Sequence, residues 1–249
     1  MRERGTLMTS YPPAMRLTFF AALVLGALAL PAAGLSTVST APPKAVVGTG
    51  TINVPNLAVR KAPTSGSPVI ARLSEFRPQD YRPRYVLAVS AKKGKKGKIA
   101  WYKITVPGRP NGRTGWVRSA DVSIHPMPWQ VVVFRDSRIV QLWNKDKLLY
   151  TNKVAVGAPG TETPTGLYYV TVRFKPVKVP FLGTFAFETS AYSKLSEWPG
   201  GGVVGLHGTT APQLLGQAVS HGCIRLSNET ANFLRDRIPL GTPIRVLPA

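Results

Sequence analysis

The sequence is short of the residues from which metal centres and disulfide frameworks are made. Its 249 residues include one cysteine and three histidines, and 11 acids stand against 32 lysines and arginines. A lone thiol excludes an intramolecular disulfide and any zinc site that needs two or more thiolates. The shortage of acid leaves a formal net charge of +21, a field that favours an anionic partner. Glycine and proline follow no period and there is no sustained heptad, so collagen-like and coiled-coil architectures are excluded. A helix-turn-helix, a zinc finger and a basic stripe interleaved with aromatics are all missing, and nucleic acid is therefore not the expected partner.

What is present begins with an uncharged apolar run from Leu17 to Leu30, preceded by Arg2, Arg4 and Arg16 and followed by Pro31-Ala32-Ala33-Gly34. A cationic front, an apolar core and small residues behind it mark residues 1–34 as an export signal. Extended to Leu35, the run approaches the roughly 20 residues of a membrane span, so an uncleaved anchor over 17–35 is the alternative. Either way the expected location is the cell-wall or periplasmic side, where anionic envelope polymers are the natural partners of a basic protein. Residues 35–47, rich in Ser, Thr, Ala and Pro, read as a flexible leader.

Short β-rich runs follow at Leu57–Val59, Val69–Leu73, Tyr85–Val89, Ile99–Ile104 and Gly115–Val117. Their spacing near a dozen residues, with no helical period, predicts a small all-β unit over 48–123. Trp101 and Trp116 are read as core. The run Lys92-Lys93-Gly94-Lys95-Lys96-Gly97-Lys98 is read as a solvated hairpin loop. His125-Pro126-Met127-Pro128 disfavours both helix and central strand and sets the joint at 124–128. The second segment, 129–249, opens with strands at Trp129–Phe134, Arg138–Trp143 and Leu148–Val156. Its helix candidate runs from Glu229 to Arg237 with Asn228 as cap, and a strand over Leu240–Leu247 closes the chain.

Chemistry concentrates around Cys223. His207-Gly208-Thr209 and Ser220-His221-Gly222-Cys223-Ile224-Arg225-Leu226 bring the two other histidines to the only thiol. An imidazole beside a thiol promotes the nucleophilic thiolate. His221, two residues away, would stand about 6.5 Å off in an extended strand, so His207 is the better base provided the chain from 208 to 222 folds back. If Cys223 begins a strand, Cys223 and Arg225 share one face while Ile224 and Leu226 take the other. Arg225 is then placed to hold a carboxylate, and the Gly222 and Cys223 amides to face an oxyanion. A metal site from His207, His221 and Cys223 lacks a fourth ligand, so neither metal nor cofactor is expected.

The two motifs closely resemble the signature of the YkuD-type L,D-transpeptidases, and Thr163-Pro164-Thr165-Gly166 resembles the turn usual upstream of it; the likeness runs from about Trp129 to Leu247. Asn56–Arg60, Trp101–Ile104 and Gly112–Val117 resemble a bacterial SH3-like domain over 48–123. The resemblance implies a mainly β protein: a small SH3-like barrel, then a β-sandwich catalytic domain with a short helix near its C-terminus. It implies Cys223 as nucleophile and His207 as base, Gly222, His221 and Ser220 in oxyanion or supporting roles, and Arg225, Gly208 and Thr209 toward substrate. It also implies peptidoglycan stem peptides as substrates, 3→3 cross-links formed through a thioester, and acylation by carbapenems. The competing readings are a Cys-His wall amidase or endopeptidase, and a non-catalytic wall-binding protein.

Overall fold

The computed structural model describes residues 38–197 and 199–248, and it is mainly β, with one α-helix among the described residues. The expected export segment, and the leader up to residue 37, lie outside the described residues. Residues 38–47 form no strand or helix but lie along the protein. Val38 packs on Val132, Phe134 and Trp143, and Gln141 Nε2 donates to the Ser39 carbonyl at 3.1 Å.

Seven strands make the first sheet: β1 (Gly48–Ile52), β2 (Asn56–Arg60), β3 (Val69–Ser74), β4 (Tyr85–Lys93), β5 (Ile99–Thr105), β6 (Thr114–Arg118) and β7 (Val122–His125). They run in the order β3-β2-β6-β5-β4-β1-β7. All five apolar runs read from the sequence are strands; β1 and β7 are additional. His125, expected in the joint, pairs with Thr49 as the last residue of β7, and three residues separate it from the next strand. Leu57, Val59, Val86, Ile104 and Val117 form the buried centre of this sheet. Trp101 and Trp116 are only half-buried and lie outside that centre, a correction to their reading as core. In β6 the period of two turns Val117 inward and leaves Trp116 on the other face.

The second sheet has the order β10-β9-β8-β17-β12-β13-β14-β16. Its members are β8 (Trp129–Phe134), β9 (Ile139–Asn144), β10 (Lys147–Lys153), β12 (Gly166–Phe174), β13 (Ala186–Tyr192), β14 (Val203–His207), β16 (Ile224–Arg225) and β17 (Pro243–Leu247), while β11 (Val156–Gly157) and β15 (Ala218–Ser220) pair separately. β17 lies parallel to β8, and β16 parallel to β14. Helix α1 spans Asn228–Arg235. Its cap is Ser227, whose Oγ accepts from the Thr230 N–H at 3.0 Å, one residue ahead of the expected Asn228. Val131, Val170, Phe187, Leu206, Ile224, Ala231 and Leu234 meet in one continuous core between sheet and helix.

Residues 36–249 are one compact unit. Tyr169 Oη on β12 donates to the Tyr85 carbonyl on β4 at 3.0 Å, tying the sheets together. Among the described residues no helix is long and apolar enough to cross a membrane.

Leu206 of β14 is fully buried. Leu206→Ala should destabilise the protein by about 2–5 kcal/mol, transfer and cavity costs together, as measured by denaturant unfolding. A loss below about 1 kcal/mol would mean that the strand does not depend on this core.

Candidate active site

The site is built by three neighbouring strands whose residues alternate between core and cleft. Phe187 of β13, Leu206 of β14 and Ile224 of β16 all turn into the core, each at most 1% exposed. Their neighbours therefore face the other side: Ala186 and Glu188, Gly205 and His207, Cys223 and Arg225. The register places His207 opposite Ala186 on one side and opposite Arg225 on the other. Extension of the parallel pairing by one residue brings Cys223 beside Gly205.

That placement brings the thiol and an imidazole to one glycine. A Cβ on Gly205 would stand 3.9 Å from Cys223 Sγ and 3.8 Å from His207 Cδ2. The Gly205 N–H donates to the sulfur at 3.4 Å. His207 Nδ1 lies 2.6 Å from the Gly208 carbonyl oxygen. A carbonyl only accepts, so Nδ1 carries the proton and Nε2, bonded to Cδ2, keeps the lone pair in the neutral ring. The chain from 208 to 222 returns through a short 3-10 turn at Pro212–Leu214 and through β15.

Burial acts on both groups in the direction that keeps them neutral. Burial pushes the Cys223 thiol above the ordinary cysteine range, opposed by the Gly205 amide and the charge of Arg225. Burial holds His207 below the ordinary imidazole range; its bond to Gly208 opposes this, and the Arg225 charge adds to it. At neutral pH both directions favour the thiol and the neutral imidazole.

The turn that presents the thiol is held by hydroxyls. Ser220 Oγ accepts from the Gly222 N–H at 3.2 Å and donates to the Cys223 carbonyl at 2.6 Å. Thr163 Oγ1 donates to the Gly222 carbonyl at 2.9 Å and accepts from the Gly157 N–H at 2.9 Å, which gives the Thr163–Gly166 turn its part in the site. Gly222 has φ +115°, in the region that favours glycine. One correction follows: the Gly222 amide, expected to face an oxyanion, is already engaged by Ser220.

Cys223, His207, Arg225, Ser220 and His221 line a cavity of about 290 Å³ with Gly205 and Glu188. His221 is exposed at its edge. Gly208 and Thr209, expected to touch substrate, do not line it: both are buried, a Cβ on Gly208 would run into Asn228 Oδ1 of α1, and Thr209 Oγ1 accepts from the Ala211 N–H at 3.0 Å. The Thr209 N–H donates to Asn228 Oδ1 at 3.1 Å, as does the Thr184 N–H. Gly208 instead holds the imidazole. Sequence reading missed Gly205, although it shares a strand face with His207 at a spacing of two. It named Asn228 only as a helix cap, and it missed the apolar rim of Phe174, Val179, Phe181 and Leu182, which carries no motif. Among the described residues no group of three His, Cys, Asp or Glu side chains is placed to hold a metal ion.

A family model for the YkuD L,D-transpeptidase catalytic domain matches residues 128–246, which leaves the first sheet outside the match. YkuD of Bacillus licheniformis is 31% identical over 122 residues, 49% of this chain and 67% of that protein. YqjB of Bacillus subtilis is 30% identical over 129 residues, 48% of this chain and 70% of that protein. An L,D-transpeptidase structure from Mycobacterium smegmatis is similar over 66% of this chain and 90% of its own, with 16% identity and a TM-score of 0.43.

Iodoacetamide labelling of Cys223 in the free protein should rise with pH to a midpoint above the ordinary cysteine range, since burial disfavours the thiolate. A midpoint below that range would reveal a resting thiolate–imidazolium pair instead. Thr163→Val leaves the buried Gly157 N–H and Gly222 carbonyl without this partner and should cost about 1–3 kcal/mol in denaturant unfolding. An unchanged midpoint would show that the turn is held by other contacts.

Proposed function

From the premise that this chain belongs to the YkuD family of L,D-transpeptidase catalytic domains, we propose that it is a cysteine acyltransferase joining peptidoglycan stem peptides by 3→3 cross-links. Cys223 is the nucleophile and His207 the base. The proton leaves Sγ for His207 Nε2 as sulfur attacks the carbonyl between the third residue and the terminal D-Ala of a donor tetrapeptide. Collapse of the tetrahedral oxyanion breaks the C–N bond, and the imidazolium returns its proton to the departing D-Ala amine. A thioester remains. A side-chain amine on a second stem attacks it, loses a proton to His207, and releases the thiol with a new amide bond.

The observation that carries this reading is the approach of Cys223 Sγ and His207 Cδ2 to the same point above Gly205 in an open cavity. The Cys223 amide takes the oxyanion role, since the Gly222 amide is engaged. Arg225, on the same face, holds a substrate carboxylate. Ser220 and Thr163 fix the turn, Gly208 fixes the base, and His221 supplies a supporting hydrogen bond at the cleft edge. The neutral pair suits a mechanism in which charge develops only once substrate is seated.

The reading extends to the rest of the chain. Residues 48–123 act as an SH3-like module and 129–249 as the catalytic domain. Residues 1–34 direct export, or 17–35 anchor the protein, on the side of the membrane that faces the wall. The excess of basic side chains suits anionic envelope polymers, and carbapenems acylate Cys223.

With purified muropeptides the expected product is a cross-linked dimer with release of D-Ala. Free fragments without dimers would establish the hydrolase reading instead. Cys223→Ala should abolish turnover and the mass increase on carbapenem exposure while the melting temperature stays near wild type; a variant that still forms dimers would refute the nucleophile. His207→Ala should slow acylation at least ~10²-fold, the lower end for general-base catalysis, and an unchanged rate would move the base to His221.

A further inference from the structure

The loop between β5 and β6 reaches across to the second sheet and takes hold of the chain between β13 and β14. Arg109 Nη1 donates to the Gly201 carbonyl at 3.0 Å, and its Nη2 to the carbonyls of Ser193 at 2.9 Å and Leu195 at 3.3 Å. The guanidinium carbon also sits 4.8 Å from the ring centroid of Tyr192. Two residues on, Asn111 Nδ2 donates to the Tyr192 carbonyl at 2.7 Å while its Oδ1 accepts from the Tyr192 N–H at 3.0 Å.

The captured chain is one wall of the active cavity. Gly200 and Val203 line that cavity, and both also line a neighbouring cavity of about 280 Å³ whose far side is Tyr85 of β4 with Arg77, Arg84 and Pro107 of the loops that join the first sheet's strands. The chain at 200–203 is therefore a partition between the two. Ser193 lies at the nucleophile turn: a Cβ on Gly222 would come within 2.8 Å of Ser193 Cβ. The partition has little to order it by itself, because Gly200, Gly201 and Gly202 all have positive φ and no side chain. Its own cross-brace is the Ser193 N–H to the Gly202 carbonyl at 2.8 Å. Lys194 Nζ pairs with Glu162 Oε2 at 2.8 Å, and three carbonyl oxygens converge on the one Arg109 guanidinium, a charged donor that makes the stronger hydrogen bonds. A second tie runs beside it, from Arg77 to Glu188 at 3.0 Å.

We propose that Arg109 is a positioning residue: it fixes the Gly200–Val203 partition beside Cys223, so that the first sheet sets how a stem peptide seats in the cleft. The substrate in that statement rests on the function proposed above; the ordering of the partition does not. A misplaced wall costs orientation of a long substrate far more than it costs attack by sulfur on a small electrophile.

The test compares full-length wild type with Arg109→Ala, Arg109→Lys and Asn111→Ala. In Arg109→Ala, amide hydrogen exchange over 193–203 should accelerate at least about tenfold with β12 unchanged. KM for a donor tetrapeptide should rise about tenfold, while iodoacetamide labelling of Cys223 stays within about twofold. Arg109→Lys keeps the charge but not the three-carbonyl span, and should recover part of both effects; Asn111→Ala should show a weaker form of the same pattern. Wild-type exchange and KM in Arg109→Ala would overturn the proposal. So would parallel losses in melting temperature, labelling and turnover, which are the mark of a purely structural role. If wild type itself makes no product from muropeptides, the function fails, and the exchange result still decides the ordering of the partition.

Discussion

The parallel pairing of two short strands is the constraint on which the site depends. β16 is two residues long, yet its pairing with β14 alone sets Arg225 opposite His207 and Cys223 beside Gly205. Side-chain direction in a strand has a period of two, so a slip of one residue would turn the thiol into the core and Ile224 into the cleft. Ile224 opposes that slip, because it would lose its burial in the core it shares with Leu206. The core thus holds the chemistry in register without touching it.

The electrostatics follow from depth. Burial moves the thiol and the imidazole in opposite directions, and both movements oppose the ion pair. Arg225 lowers both groups, which favours thiolate and disfavours imidazolium, so its two effects on proton transfer between them tend to cancel. The imidazole is set by its bond to Gly208, which determines the tautomer and leaves Nε2 unprotonated. Around this pair backbone groups are held by hydroxyls: Ser220 and Thr163 partner the Cys223 and Gly222 carbonyls of the turn, which would otherwise lack these donors.

The two sheets meet at this same place. Arg109 and Asn111 hold backbone beside the cleft, Arg77 pairs with an acid that lines it, and Tyr169 bonds to Tyr85 across the junction. A basic first segment thus touches the second sheet through guanidinium groups aimed at carbonyls and a carboxylate. Part of the positive charge that the composition assigns to anionic partners is used inside the molecule.

Much of the site was legible because its chemistry is written in local order. A lone cysteine, a glycine before it, an arginine two residues on and a histidine upstream define a reactive set, and strand alternation assigns its faces. The β character, five of the seven strands of the first sheet and the helix before the last strand follow in the same way from apolar period and turn residues. Gly208 and Thr209 lie outside the cavity lining, which sequence could not reveal because a residue beside His207 reads the same whether it faces the cleft or packs away from it. The roles of Gly205, Asn228 and Arg109 needed coordinates, since each is defined by a partner 18 or more residues away. Residue type and spacing reveal which groups can react, because reactivity and strand faces are local properties. Which backbone groups are already occupied, and which distant loop steadies the wall, was decided only by the tertiary fold, because hydrogen bonds between remote segments leave no period in the chain.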